Sequence, residues 1–118
     1  MSIRRAEAND INAIMNLSDK YIGEGFYTFE YLSGIIDNPD EFLFVYDLED
    51  AGVIAFLYFF TDTLANACKR IHVPESADIL KNIDNNMKVC VFKTTCIDKD
   101  YRNKYIMTDF LDAALNDI

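Results

Sequence analysis

The sequence predicts a layered α/β (α+β) domain, a mixed and largely antiparallel sheet with helices packed on it. Three observations predict it. Residues 53–60, "VIAFLYFF", are apolar at every position and follow another β-rich run, 42–47, across the connection "LEDAG". Two stretches, 8–22 and 106–117, repeat apolar side chains at a helical period. A further β-rich run, "KVCVFKTTCI" at 88–97, leads towards the second of these stretches.

Each element follows in order. "SIRRA" starts a short strand with Ile3 as its apolar anchor. Helix 8–22 has Ile11, Ile14 and Met15 on its stripe, which Ser18 interrupts and Tyr21 and Ile22 resume. Glu7, Asn9 and Asp10 crowd its N-terminus, where caps and negative charge belong, and "GEG" at 23–25 stops it. "TFEYLSGIIDNPD" is a second helix, with Thr28 as its cap and Phe29, Leu32, Ile35 and Ile36 as its apolar face. Asn38-Pro39 ends it. The pair of runs 42–47 and 53–60 reads as a hairpin, and the unbroken second run predicts a strand covered on both faces. "ESADILKN" reads as a short helix after Pro74, and Asn85-Asn86 as a turn. In the last helix, Ile106, Phe110, Leu111, Ala114 and Leu115 share one face.

Composition bounds the function. The chain has 118 residues, enough for a single domain, and is 51% hydrophobic and 14% aromatic, which argues against disorder. Its longest apolar run falls well short of the roughly 20 residues of a membrane helix, and the first residues carry no stretch of signal-peptide length, so a cytoplasmic location is expected. A net charge of −9 disfavours nucleic acid, whose affinity rests on Lys and Arg against phosphate, and mildly favours cationic partners such as amines. Cys68, Cys90 and Cys96 have no metal-ligand spacing and read as buried or half-buried thiols. His72, the single histidine, reads as a surface loop residue.

The most informative stretch is "DKDYRNKYIMTDFLDAAL", 98–115. It runs from a strand end through a turn into an amphipathic helix, the setting in which helix N-termini hold anions. Lys99, Arg102 and Lys104 gather within six positions, three of the chain's 11 basic residues. Phosphate-holding turns normally carry glycines, and here Asn103, Tyr105 and Met107 stand instead. A plain solvated helix start is the competing reading.

With that turn in place, the order strand, helix, helix, hairpin, strand, helix resembles the GNAT superfamily of N-acetyltransferases. "IRRAEANDINAIMNL" resembles the family's opening strand and helix, "NPDEFLFVYDLEDAGVIAFLYFF" its second and third strands, and "VFKTTCIDKDYRNKYIMTDFLDAAL" its fourth strand and acetyl-CoA helix. Of the signature (Gln or Arg)-x-x-Gly-x-(Gly or Ala), Arg102 keeps the first position, while Tyr105 and Met107 replace the two small residues. The resemblance implies weak acetyl-CoA contact by Ile97, Arg102, Asn103, Lys104, Tyr105, Ile106, Met107 and Thr108, chiefly through backbone groups, with the Tyr105 side chain obstructing the approach. It implies an acceptor side at "GEGFYTFEY", with Glu24 and Tyr27 lining it, and an unidentified amine as acceptor; the cysteine and histidine spacing gives no metal site. No residue is singled out as catalytic. The aromatic residues Phe26, Tyr27, Phe29 and Tyr31 read as core packing.

The family's C-terminal strands would follow Ile118, so the resemblance implies a single domain, 1–118, cut short after the acetyl-CoA helix. Strand 88–97 would then be an open edge, which a homodimer, a complementing chain or a covering loop from 63–87 would relieve. Two functions follow: an N-acetyltransferase, completed by a partner chain if need be, or an inactive GNAT-like binding or oligomerisation module.

Overall fold

The computed structural model describes residues 2–73, 83–102 and 105–117. Four strands form one sheet in the order β1-β2-β3-β4, every neighbour antiparallel: β1 (Ser2–Arg5), β2 (Glu41–Leu48), β3 (Gly52–Thr63) and β4 (Lys88–Ile97). Among the described residues four α-helices accompany it: α1 (Ile11–Tyr21), α2 (Phe29–Asp37), α3 (Leu64–Arg70) and α4 (Ile106–Asp117). The layered α+β expectation holds, with the hairpin 42–60 at the centre of the sheet.

The continuous apolar run has the environment that such a run requires. Residues 54–60 of β3 are all buried, because α1 and α2 pack on one face of the sheet and α4 on the other. Leu43, Val45, Phe56 and Tyr58 join Ile11, Ile14, Leu32 and Ile35 in the first layer. Phe44, Tyr46, Leu57 and Phe59 join Ile106, Phe110 and Ala114 in the second. Gly52 closes the hairpin at φ 75°, a left-handed conformation open to glycine at no steric cost.

Two bulges interrupt the ladders, one between Tyr46 and Asp47 and one on β4. In the second, Tyr58 opposes Thr94 and Phe59 opposes Phe92, which leaves Lys93 as the extra residue. The bulge inverts the facing of everything beyond it. Cys90 and Phe92 belong to the α4 side, whereas Thr94 and Cys96 belong to the α1 and α2 side. A regular strand would carry Cys90, Phe92 and Thr94 on one side, and the bulge is the physical reason this strand does not. Among the described residues no strand pairs with the outer side of β4.

Other local readings change as well. The first helix begins as a 3-10 turn, Ala8–Asp10, before α1. Ser18 does not interrupt the buried stripe but lies within it, at 0% exposure. Phe26, Phe29 and Tyr31 are exposed and only Tyr27 of that aromatic group is core, while Leu115 is exposed although it was placed on the buried face.

Helix α3 has no counterpart in the sequence reading, and the helix expected at "ESADILKN" lies outside the described residues. Thr63 caps α3 by accepting from the Asn66 N–H at 3.3 Å. His72 ends it at φ 63°, with its N–H donating to the Lys69 carbonyl and the Val73 N–H to the Cys68 carbonyl. Arg70, at the end of α3, reaches Glu41 at 2.6 Å and the Tyr58 hydroxyl at 2.7 Å.

Candidate functional site

Two clefts open side by side along β4. The first, about 220 Å³, is lined by Tyr21 and Ile22 from the end of α1, by Thr95, Cys96 and Ile97 from β4, and by Arg102. The second, about 320 Å³, is lined by Phe26, Tyr27 and Tyr31 from the α1–α2 connection and α2, and by Lys93 and Thr94. Consecutive residues Thr94 and Thr95 therefore border the two spaces.

The first cleft takes its character from Arg102. Its Nε donates to the Ile97 carbonyl at 3.0 Å, and its guanidinium lies 4.8 Å from the centre of the Tyr21 ring. The terminal guanidinium nitrogens have no protein partner among the described residues, so they are available to an anion. The Tyr21 hydroxyl accepts the Lys99 N–H at 3.2 Å and joins the 3-10 turn Lys99–Tyr101 to α1. Asp98 starts that turn by accepting the Asp100 N–H at 3.0 Å.

Cys96 faces this cleft as a thiol, not a thiolate. Burial pushes its pKa up, the positive charge of Arg102 partly opposes this, and its S–H points to the Leu17 carbonyl at 3.6 Å. Cys90 is likewise raised by burial, and all three cysteines are free. Their reading as small half-buried or buried thiols agrees with this geometry. Among the described residues no group of His, Cys, Asp and Glu could hold a metal ion.

The second cleft is aromatic. Phe26 and Tyr27 meet edge to face at 4.8 Å between ring centres, and Tyr27 and Tyr31 lie 5.7 Å apart. The Tyr27 hydroxyl is hydrogen-bonded to the Thr94 hydroxyl. Burial raises the Tyr27 pKa, the Thr94 hydrogen bond opposes the shift, and the phenol stays protonated at neutral pH. Gly25 turns the connection at φ 74° and donates its N–H to Asp19 at 3.0 Å, which leaves Phe26 facing solvent at 62% exposure.

The residues expected at the site are thus only partly brought together. Ile97 and Arg102 line the first cleft and Tyr27 the second. Asn103 and Lys104 lie outside the described residues. Ile106 is buried under α4, Met107 packs against the same layer, and Thr108 is exposed on the first turn of α4. Glu24 is exposed and lines neither cleft. Tyr105 has φ 61°, the left-handed conformation a glycine would supply, and its side chain is 82% exposed. The turn keeps the glycine-like backbone while the ring projects into solvent. Sequence reasoning missed Tyr21, Thr95 and Cys96, and also Lys93 and Thr94, whose placement depends on the bulge.

No family model matches the chain, and no curated protein matches it in sequence. Solved structures do match. The acetyltransferase from Vibrio fischeri superposes with a TM-score of 0.70 at 16% identity, over 99% of this chain and 85% of that one. Glucosamine-6-phosphate N-acetyltransferase from Arabidopsis thaliana gives 0.69 at 16%, over 98% of this chain and 71% of that one. The chain has the GNAT fold. A third GNAT-fold structure, Arabidopsis thaliana NAA60 in complex with a bisubstrate analogue, gives 0.69 at 14%, over 98% of this chain and 64% of that one. At these identities the likeness is one of architecture, and it agrees with the strand-helix-helix-hairpin-strand-helix order read from the sequence. No helix among the described residues is long and apolar enough to cross a membrane.

Proposed function

We propose that this GNAT-fold chain transfers an acetyl group from acetyl-CoA to an amine, with weak cofactor binding. One observation carries the reading: two separate clefts are lined by neighbouring residues of β4, one holding Arg102, whose terminal nitrogens have no protein partner among the described residues, and one with aromatic walls. A two-substrate transfer needs two spaces close to each other, because bringing the partners together supplies much of the rate. The first cleft fits a ligand with an anionic end, since Arg102 has unpaired nitrogens there and the outer edge of β4 offers backbone groups.

Acetyl-CoA, when bound, would supply the thioester for a neutral amine, the amide C–N bond forming as the C–S bond breaks, with CoA leaving as the thiolate and taking up, by way of solvent, the proton that the amine gives up. The chain's own groups bind and orient. Arg102 would hold negative charge, Tyr21 would wall the first cleft, and the protonated Tyr27 and Thr94 would fix the loop that borders the second. Buried as a thiol, Cys96 is unsuited to act as a nucleophile, which favours direct transfer over a covalent intermediate.

A second reading, an inactive GNAT-like binding module, draws on Tyr105. A non-glycine residue in the left-handed region costs about 1–2 kcal/mol, a strain that a turn selected for tight cofactor binding would relieve with glycine. Calorimetric titration with CoA separates the two, alongside mass spectrometric detection of acetylated amines. Acetyl transfer reads as loss of CoA affinity in Arg102→Ala and a gain when glycine replaces Tyr105 and Met107. CoA binding without any acetylated product favours the module. No heat with CoA, in the parent chain and in the glycine variants alike, overturns the acetyl-CoA reading.

A further inference from the structure

We infer that the aromatic cleft selects an amine that carries both a flat apolar group and an anionic group, with Lys93 reading the anion; the inference rests on the acetyl-transfer reading for the amine itself. It starts from the bulge. Lys93 is the extra residue of β4, opposite no partner on β3, and it is the one charged side chain lining the cleft among the described residues. Bulges re-aim a side chain out of the regular alternation, and this one delivers a cation beside Phe26, Tyr27 and Tyr31.

The charge pattern favours this class over the polycationic amines that a net charge of −9 suggests. Among the described residues no carboxylate lines the cleft: Glu24 is absent from its walls, and Glu30 borders a different space, beside Glu41 and Arg70. A polyamine would therefore meet Lys93 without a counter-charge. An acceptor bearing a carboxylate would pair with Lys93, while its apolar body covers the exposed Phe26 and Tyr31 rings. The cleft volume, about 320 Å³, suits a small molecule of amino-acid size rather than a polymer.

The test uses three probes: phenylalanine, phenethylamine, which lacks only its carboxylate, and spermidine, an aliphatic polyamine. Backbone amide shifts of Phe26, Tyr27, Lys93 and Thr94 are followed by nuclear magnetic resonance on the full chain, with and without CoA. Phenylalanine is expected to perturb these amides and to bind about tenfold more tightly than phenethylamine, the scale of one charge-assisted hydrogen bond. Spermidine is expected to leave them unmoved. Lys93→Gln should remove the preference for the carboxylate and Lys93→Arg should keep it. Because Lys93 is exposed, neither variant should threaten folding, which the dispersion of the same spectra checks directly. Spermidine binding as tightly as phenylalanine, or a carboxylate preference that survives Lys93→Gln, would overturn the inference. So would silence of all four amides towards every probe. CoA-induced shifts at Thr95, Cys96, Ile97 and Arg102 report the cofactor cleft on the same sample, so failure of the acetyl-CoA reading appears there and not at Lys93.

Discussion

The Tyr27 hydroxyl is hydrogen-bonded to the Thr94 hydroxyl and ties the α1–α2 connection to β4 one residue past the bulge. Tyr27 is otherwise buried against Phe56 and Tyr58, edge to face with both. Tyr27→Phe keeps the ring packing and removes only the tie. It should lower stability by about 1 kcal/mol, the net worth of one hydrogen bond, and move the denaturation midpoint without changing its slope. An unchanged midpoint would mean that the two hydroxyls are satisfied equally well by water.

Tyr105 offers the opposite sign. Its φ of 61° is strained for a residue with a Cβ, and its exposed ring makes little compensating contact. Tyr105→Gly should raise stability by about 1 kcal/mol, the relief of left-handed strain less the entropy added to the unfolded chain. Tyr105→Ala, which keeps the Cβ, should give no such gain. His72→Gly, at φ 63° after α3, provides a parallel measurement far from the clefts. Urea titration of the three variants distinguishes backbone strain from any role of the tyrosine ring.

Much of the fold was legible because it depends on burial period. The run Val53–Phe60 could be satisfied only by a strand covered on both faces, and the stripes of α1 and α4 could face only a sheet. The site was less legible, for three physical reasons. Lys93 and Thr94 owe their positions to one extra residue in β4, which leaves no trace in hydrophobic alternation. Phe26 and Tyr31 are large aromatic residues that composition assigns to a core, yet the turn at Gly25 leaves Phe26 exposed and Tyr31 stands on the outer side of α2. The left-handed backbone of Tyr105 and the exposure of its ring depend on a backbone angle that side-chain identity does not reveal.

Asp10 provides a pH prediction. Its carboxylate accepts from Arg4 at 2.7 and 3.0 Å and from the Glu7 N–H at 2.8 Å, and Arg4 also reaches Asp47 at 2.9 Å. The hydrogen bond from Arg4 is the largest cause of a pKa below the ordinary 3.8, burial opposing it. Since the folded value lies below the unfolded one, the stabilisation is fully present above the unfolded value and is lost as pH falls through the folded value. Asp10→Asn should cost about 2 kcal/mol at neutral pH and flatten the acid limb of the stability curve below about pH 4. An acid limb of unchanged steepness would place the responsible carboxylates elsewhere.

Ser18 is the exception within α1. Its hydroxyl is fully buried and has no hydrogen-bond partner among the described residues. Ser18→Ala removes an unsatisfied polar atom and improves helix propensity, so it should be neutral or stabilise by up to about 1 kcal/mol. A loss larger than that, in a thermal melt, would reveal a partner such as an ordered water at this position.

The double covering of β3 has a consequence for time rather than for shape. Residues 54–60 are shielded on both faces and hydrogen-bonded to β2 on one side and β4 on the other, so their amides can meet solvent only when most of the sheet comes apart. Along the outer side of β4 no such shield exists among the described residues, and small local openings suffice. The slowest and fastest hydrogen-exchange rates of the sheet should thus lie one strand apart. Both clefts sit on the fast side, where Thr94 and Thr95 can adjust to a guest while the neighbouring strand keeps its place.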